Sequence, residues 1–322
     1  MDFSILISNI TNPTLLFFVL GIVASIVKSD LEIPAPSIKF ISLYLLFSIG
    51  FKGGQELAHS GFTTEIFYSL AFGVVLASSI PCYIFFVLKR RLSISDAAAV
   101  AAAYGSVSAV TFVASASFLE MQKISYGGHM IAVMALMESP AIIIGVILMM
   151  KYETDKDNNV SLRSVAQHSL TNGSVLMIIG SLIIGIIADT KQAEGIKPFT
   201  TDIFKGFLAI FLLEMGMVTA KRFSAFTKYG FYAPFVGVLF PFVNGVAVAF
   251  LSAFVTDDVG NRFIFSILAA SASYIAVPAA LRLAAPKADP GLYIPMALGV
   301  TFPFNITLGM PLYFMIVKSF TL

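Results

Sequence analysis

Two short runs of small and hydroxyl-bearing residues lie in the middle of long apolar segments of this 322-residue chain. The first run, 104–111, reads YGSVSAVT, and the second, 271–278, reads SASYIAVP. Proline removes a backbone donor and disrupts the preceding helical turn. A helix that breaks exposes unpaired N–H groups where its second half begins, and such groups favour a small anion. The sequence therefore predicts an anion site where two helices break.

Long apolar segments must position these runs. The chain is 58% hydrophobic and 12% charged, whereas a soluble domain carries about 25% charged residues. So few charges cannot cover a water-soluble globule, and a bilayer removes that requirement. A transmembrane helix needs about 20 mostly apolar residues, and ten segments meet this criterion. They are placed at 12–28, 36–58, 64–88, 94–118, 128–150, 170–189, 202–222, 228–255, 261–284 and 291–317.

The two halves of the chain resemble each other. The dipeptide TN opens the first apolar segment at 11–12 and the sixth at 171–172. Gly50 in the second segment matches Gly216 in the seventh, and the two hydroxyl-rich runs follow at nearly the same offset. The common order of these matches predicts an internal repeat.

The repeat predicts the fold class. We expect an all-α integral membrane protein with five helices in residues 1–150, a polar linker at 151–168, and five helices in residues 169–322. Because each unit has an odd number of helices, the second must be inverted relative to the first. The two broken helices would then cross at mid-membrane.

Basic residues predict the orientation. Most of the 20 lysines and arginines fall in loops on the same side as the 151–168 linker, with the strongest group at 89–91. Cytoplasmic loops carry an excess of such residues, so the linker is predicted inside and both termini outside. Asp2 occupies the region where a cleavable signal peptide carries positive charge, so we expect the first segment to be a retained helix. We expect a multi-pass protein of an inner or plasma membrane.

The motifs of soluble enzymes are missing. The sequence has no GxxxxGK[ST] phosphate loop, no HExxH and no GxSxG. His59, His129 and His168 are far apart in sequence, which argues against a histidine metal site. The net charge of +2 gives no sign of a nucleic-acid partner. We expect no enzymatic activity, no bound cofactor and no ATP-driven machinery.

Lys52, Glu56, Glu138 and Glu214 are ionisable residues that the predicted helices place within the membrane. Lys52 and Glu56 are one helical turn apart and would neutralise each other. A charged residue at a helix centre costs about 2.5–3.5 kcal/mol on insertion scales, so each should face protein or water. Glu138 and Glu214 would coordinate a cation or carry a proton. Alternatively, Glu138 and Glu214 form ion pairs or lie nearer the membrane surface than the predicted helix boundaries place them.

The small residues at the two runs also have a second interpretation. Glycine, alanine and serine allow membrane helices to pack closely without any ligand. The runs occupy matching positions in the two halves, which favours the binding-site interpretation.

Short pieces in a fixed order carry a family resemblance. They are NPTLLFFVLGIV, LEIP, IGFKGGQEL, AAAYGSVSAVTFVAS, LEMQKISY, MESPA, LLEMGM, SILAASASYIAVPAALR and DPGLYIPMALGV. From about Asn12 to Tyr313 the chain resembles the cyanobacterial-type sodium-dependent bicarbonate transporter family. The resemblance implies a ten-helix permease, generally trimeric, with a core domain and a gate domain that are each drawn from both repeats. It also implies import of bicarbonate with sodium and, in some members, inhibition by a PII-like signalling protein.

The resemblance also implies positions for the ligands. The anion would bind the backbone and hydroxyls of the two breaks, at Gly105, Ser106, Val107, Ser108, Ser271, Ala272, Ser273 and Tyr274. Sodium, the only metal expected, would lie beside the same breaks at Thr111, Glu138 and Ser273.

Three single residues and one short run depart from the family pattern. The family has an aspartate at Tyr274 and at Glu138, a threonine at Lys52, and Gly-Pro-Pro at 277–279, where this chain reads VPA. Loss of the carboxylate at 274 would remove a cation ligand, and the tyrosine would narrow the pocket.

Three functions follow from these observations. The first is sodium-coupled import of a small anion, with bicarbonate implied by the resemblance. The second is transport of another small or organic anion, with proton coupling through Glu138 or Glu214. The third is a membrane receptor or scaffold that kept the fold without transport, because a fold alone does not fix function.

Overall fold

The structure, a computed structural model, describes residues 7, 9, 11–61, 63–153, 161–223 and 230–320. Regular elements in these ranges are all helical. The first half contains α1 (Pro13–Ile26), α2 (Ala35–Ser60), α3 (Thr64–Leu88), α4 (Ile94–Gly105), α5 (Ala109–Met121) and α6 (His129–Tyr152).

Helix α7 (Leu162–Leu170) lies mostly within the linker, and α8 (Gly173–Ile187) is the first apolar helix of the second half. The remaining helices are α9 (Thr190–Lys197), α10 (Phe204–Phe223), α11 (Tyr232–Leu251), α12 (Val259–Ala270), α13 (Ala276–Ala284), α14 (Pro290–Pro295) and α15 (Met310–Ser319). Helical turns, some of them π turns, fill the interval between α14 and α15, so this stretch is one helix from Pro290 to Ser319.

Matching caps start the first helix of each half. The Asn12 side chain accepts a hydrogen bond from the Thr14 backbone N–H at 2.9 Å, and Asn172 accepts one from Ser174 at 2.9 Å. Asparagine at this position satisfies one of the donors that a helix start leaves unpaired. The repeated TN dipeptide is therefore a repeated helix-capping signal.

Within the described residues, seven helical stretches are long and apolar enough to cross a bilayer. Three further apolar helices, α1, α8 and α12, are shorter. The first two correspond to the segments predicted at 12–28 and 170–189, and the third is the first part of the segment predicted at 261–284. The protein is thus a multi-pass, all-helical membrane protein, while the count of ten spans and the inverted repeat stay predictions.

The linker is partly helical. Helix α6 extends to Tyr152, α7 begins at Leu162, and residues 154–160 lie outside the described part of the chain. Helix α9 was not predicted. It is a polar helix, and a reciprocal pair of hydrogen bonds between Asp189 and Gln192 caps its start.

Two helix pairs make the most extensive contacts in the fold, α1 with α10 and α2 with α8. In each pair a glycine lets the backbones approach. A Cβ at Gly216 of α10 would overlap the backbone carbonyl of Phe18 in α1, and a Cβ at Gly50 of α2 would overlap the Ser181 side chain in α8. The two glycines matched by the sequence therefore serve equivalent close contacts.

The other helices form a second packed group. Helix α3 packs on α4 and α6, and α11 packs on α12 and the last helix. The span 94–121 is the most completely enclosed of the seven, with 89% of its apolar window buried. Its alanines at 97–103 are buried because neighbouring helices approach closely from all sides.

Gly216→Ala should destabilise the protein by about 1–3 kcal/mol, because the added methyl group overpacks the α1–α10 contact. Gly206 is a matched control on the same helix, since a Cβ there meets nothing within 4 Å. Gly206→Ala should be neutral or stabilising by up to about 1 kcal/mol. Thermal unfolding of the purified protein in detergent measures both changes. Equal melting temperatures for the two variants would contradict the close contact.

Candidate functional site

The first predicted break is present between α4 and α5. Helix α4 ends at Gly105, residues 106–108 are not helical, and α5 begins at Ala109. The Ser108 hydroxyl caps α5 by accepting a hydrogen bond from the Thr111 N–H at 3.2 Å. Gly105 is required for packing, because a Cβ there would overlap Pro81 of α3. The break is therefore set by a serine cap and by a glycine that fits against a proline.

The second predicted break separates α12 from α13. Helix α12 ends at Ala270, residues 271–275 are not helical, and α13 starts at Ala276. Pro278 lies in the first turn of α13, where the missing N–H would have had no intrahelical partner. The proline therefore follows the break and suits the start of the second half-helix.

The two breaks contact each other. The Ser108 N–H donates to Ser271 Oγ at 3.0 Å, and the Ser273 N–H donates to the Ala103 carbonyl at 2.8 Å. The Asn305 side-chain amide donates to the Ala270 carbonyl at 2.7 Å, which satisfies the last residue of α12. The Ser108 and Ser273 N–H groups are thus each paired with an acceptor of the other break.

Most of the predicted anion-site residues are brought together and buried at this contact. Ser106 is fully buried, Val107, Ser108, Ser271, Ala272 and Ser273 are each at most 5% exposed, and Gly105 ends the adjoining helix. Ser106 Oγ has no hydrogen-bond partner within the described part of the chain. A buried hydroxyl without a partner is costly, so it is a candidate contact for a ligand.

Tyr274 is half-buried at the edge of the second break. Its hydroxyl lies 4.0 Å from Met215 Sδ in α10 and near the Ser108 hydroxyl. Its ring packs edge-on against Phe302, with the ring centroids 6.4 Å apart. The tyrosine therefore fills the space between the breaks and α10.

Tyr274 also forms part of the wall of a large cavity, the apolar groove. This groove has a volume of about 1080 Å³ and lies among α2, α8, α10 and the second break. Aliphatic, methionine and phenylalanine side chains form most of its wall. Its charged lining residues are Glu32, Lys39, Glu214 and Lys221.

The predicted sodium ligands lie around the first break. Thr111 is buried in the first turn of α5, and Glu138 is 6% exposed on α6. Ala141, one turn after Glu138, is the α6 residue nearest to Gly105. Described residues include no group of three or more His, Cys, Asp or Glu side chains that could hold a metal. Hard cations take oxygen ligands, so a sodium ion here would depend on hydroxyl and backbone oxygens with at most one carboxylate.

Two polar contacts between the break-carrying helices and neighbouring helices were not predicted from the sequence. Asn305 supports Ala270, and the Tyr104 hydroxyl pairs with Thr301 at 2.7 Å, while Thr301 donates to the Gly237 carbonyl at 2.7 Å. An asparagine inside an apolar helix is a signal that could have indicated the first contact, because polar side chains in membrane helices usually bond to other helices.

A second cavity holds the predicted Lys52–Glu56 pair. We call it the charged cavity. It has a volume of about 340 Å³, and its charged or phenolic lining residues are Lys52, Glu56, Glu120, Lys123, Tyr126 and Lys205. Lys52 and Glu56 therefore share a cavity with other charged groups and do not form an isolated pair.

Comparison with known families adds to this geometry. The sequence profile of the Na+-dependent bicarbonate transporter superfamily matches residues 13–318. The chain belongs to this superfamily. A search of curated proteins finds no match. The matched range includes both breaks and both cavities.

Ser271→Ala should destabilise the protein by about 1–3 kcal/mol, because it leaves the buried Ser108 N–H without an acceptor. Ser266 on α12 is a matched control, since it is also buried but its hydroxyl bonds only to the Arg262 carbonyl of its own helix. Ser266→Ala should change stability by less than about 1 kcal/mol. Thermal unfolding of the two purified variants tests the difference. A Ser271→Ala protein as stable as wild type would contradict the cross-break bond.

Proposed function

We propose that the protein is a secondary transporter that imports a small anion, with bicarbonate coupled to sodium as the first candidate. Membership of the Na+-dependent bicarbonate transporter superfamily supports this proposal. The single observation that carries it is the contact between the two helix breaks, sealed by the Ser108–Ser271 and Ser273–Ala103 hydrogen bonds.

The breaks suit an anion. Helices α5 and α13 both start at the contact, and the start of a helix carries partial positive charge and unpaired N–H groups. Ser106 adds a buried hydroxyl without a partner within the described residues. In this proposal the anion replaces water as the acceptor for these donors, and no charged side chain is needed to hold it.

The two groups of helices suit alternating access. We propose that α1, α2, α8 and α10 form a gate and that the helices carrying the breaks form a core. The apolar groove lies between them and reaches the second break at Tyr274. Movement of the core against the gate would then open the break site to one side of the membrane at a time.

Several further features of the proposal come from the resemblance. They are the inverted repeat, a homotrimeric assembly, both termini outside, and regulation by a PII-like protein. Sodium would be carried beside the breaks, with Thr111, Glu138 and Ser273 as its ligands.

A second candidate function is transport of a larger organic anion. The apolar groove favours it, because its volume of about 1080 Å³ is at the upper end for small-molecule pockets and far exceeds what bicarbonate fills. Tyr274 and Met215 would contact the apolar part of such a substrate. Glu214 lines the groove and, like Glu138, would be a candidate proton carrier.

Uptake into proteoliposomes tests the first candidate directly. The purified protein should accumulate labelled bicarbonate when sodium is higher outside than inside. Uptake should fall to the level of protein-free liposomes when the sodium gradient is removed. Equal uptake with and without the gradient, at the level of protein-free liposomes, would contradict bicarbonate–sodium symport.

Glu138→Gln tests the coupling ion. If the Glu138 carboxylate binds sodium, the variant should need roughly tenfold more sodium for half-maximal uptake, while its half-saturating bicarbonate concentration changes little. Glu194→Gln is the control, since Glu194 is exposed on α9. An unchanged sodium dependence would exclude Glu138 as a sodium ligand. A loss of pH dependence at unchanged sodium dependence would favour the proton-coupled alternative.

A further inference from the structure

The charged cavity lies at the opposite end of the gate helices from the apolar groove. Along α2, residues 35–47 line the groove and residues 48–56 line the charged cavity. Along α10, the order is reversed, with 204–205 at the cavity and 211–221 at the groove. The two cavities therefore lie toward opposite faces of the protein.

The charged cavity is also separate from the helix breaks. It borders the last turns of α5 at Ala116, Ser117 and Glu120, whereas the break lies before the first turn of that helix. Nine residues separate Ser108 from Ser117, which corresponds to about 14 Å of helix. A ligand in the cavity would therefore not touch the break site.

Among the described residues of the cavity wall, positive charge exceeds negative charge. Three lysines, Lys52, Lys123 and Lys205, face two glutamates, Glu56 and Glu120. Lys205 Nζ lies 3.1 Å from Glu120 Oε1, and both side chains are more than half exposed. An exposed pair of this kind is weak because solvent screens it. Glu56 lies one turn from Lys52, and the described part of the wall holds no third carboxylate that could pair with Lys123.

The backbone holds Lys123 at the cavity in an unusual conformation. Its φ of 56° lies in the left-handed region, where glycine is normally preferred. The turn is closed by a hydrogen bond from the Ile124 N–H to the Leu119 carbonyl at 3.0 Å. A lysine therefore occupies a glycine-type position at the end of α5, immediately beside the cavity.

Neutral donors complete the wall. Burial raises the pKa of the Tyr126 phenol, and the nearby Glu56 and Glu120 carboxylates raise it further, so the hydroxyl stays protonated and can donate. The Tyr126 ring is fixed edge-on against Phe112, with ring centroids 5.7 Å apart. Hydroxyls of Ser125 and Thr201 also line the cavity. Ammonium and hydroxyl donors around one space are the groups that bind carboxylates and other oxyanions.

We propose that the charged cavity is a second anion-binding site that takes a small monovalent oxyanion of the bicarbonate or carboxylate class. An excess of one positive charge on the wall matches one negative charge on the ligand. The site holds the anion at the face opposite the apolar groove. Binding here goes beyond the proposed transport function, because it depends only on the charges and donors of this cavity.

A local fluorescence titration tests the site. Cys82 is the single cysteine, so Gln122→Cys in a Cys82→Ala background gives one label beside Lys123. The full-length labelled protein is titrated with sodium bicarbonate in place of sodium chloride, at constant pH and ionic strength. We expect a saturable signal whose midpoint rises roughly tenfold in Lys123→Gln, because one charge-assisted hydrogen bond is lost. Lys318→Gln is the control, since Lys318 is exposed on α15 and does not line the cavity.

Lys205→Gln is the second variant if Lys123→Gln does not fold, and it should also weaken binding because it leaves Glu120 unpaired. A signal that does not saturate in the parent protein would overturn the proposal. An identical midpoint in the parent and in every folded cavity variant would overturn it too. A saturable, lysine-dependent signal in a protein without labelled-bicarbonate uptake would support this site and contradict the proposed transport.

Discussion

The structure depends on one constraint, that backbone groups released by a helix break inside a bilayer must find partners in the protein. Lipid offers no hydrogen bonds, so irregular backbone is tolerated only against protein or a water-filled cavity. Here each break provides partners for the other, since Ser271 accepts from the Ser108 N–H and Ala103 accepts from the Ser273 N–H. Neither break would be stable alone, and the helices that carry them are therefore fixed against each other.

The same constraint explains the packing around the breaks. Asn305 from the last helix reaches the Ala270 carbonyl, and Gly105 allows Pro81 to come close enough to enclose the first break. The helices outside this group are joined in two pairs through close glycine contacts, α1 with α10 and α2 with α8. The two breaks are thus held against each other, beside a second group made of α1, α2, α8 and α10. The apolar groove and the charged cavity lie toward opposite faces of the protein. This arrangement is the physical basis for proposing that an anion passes by movement between the two groups.

Sequence reasoning predicted those features that depend on local chemistry. Small and hydroxyl-bearing residues marked both breaks, and the TN dipeptides marked the first apolar helix of each half. The matched glycines were used only as a sign of the repeat, and the structure shows that they also make the close helix contacts. Features that depend on long-range contacts could not be predicted in this way. An asparagine inside an apolar helix signals a bond to another helix, but nothing local shows that the partner of Asn305 is Ala270, or that Tyr274 lies between the breaks and Met215. Pro278 was expected to disrupt the preceding helical turn, whereas it lies in the first turn of the helix that follows the break. Sequence alone does not distinguish a proline that ends one helix from a proline that begins the next.

The central claim is that a small anion binds the backbone N–H groups at the starts of α5 and α13, beside the two breaks. Solid-state NMR dipolar recoupling measures it most directly, between ¹³C-labelled bicarbonate and protein carrying ¹⁵N at its serine and alanine amides, reconstituted in lipid. The account predicts dephasing of the bicarbonate carbon by these amides, abolished when the breaks are disrupted by Gly105→Leu in protein that remains folded. Saturable bicarbonate binding with no dephasing from any serine or alanine amide would contradict it.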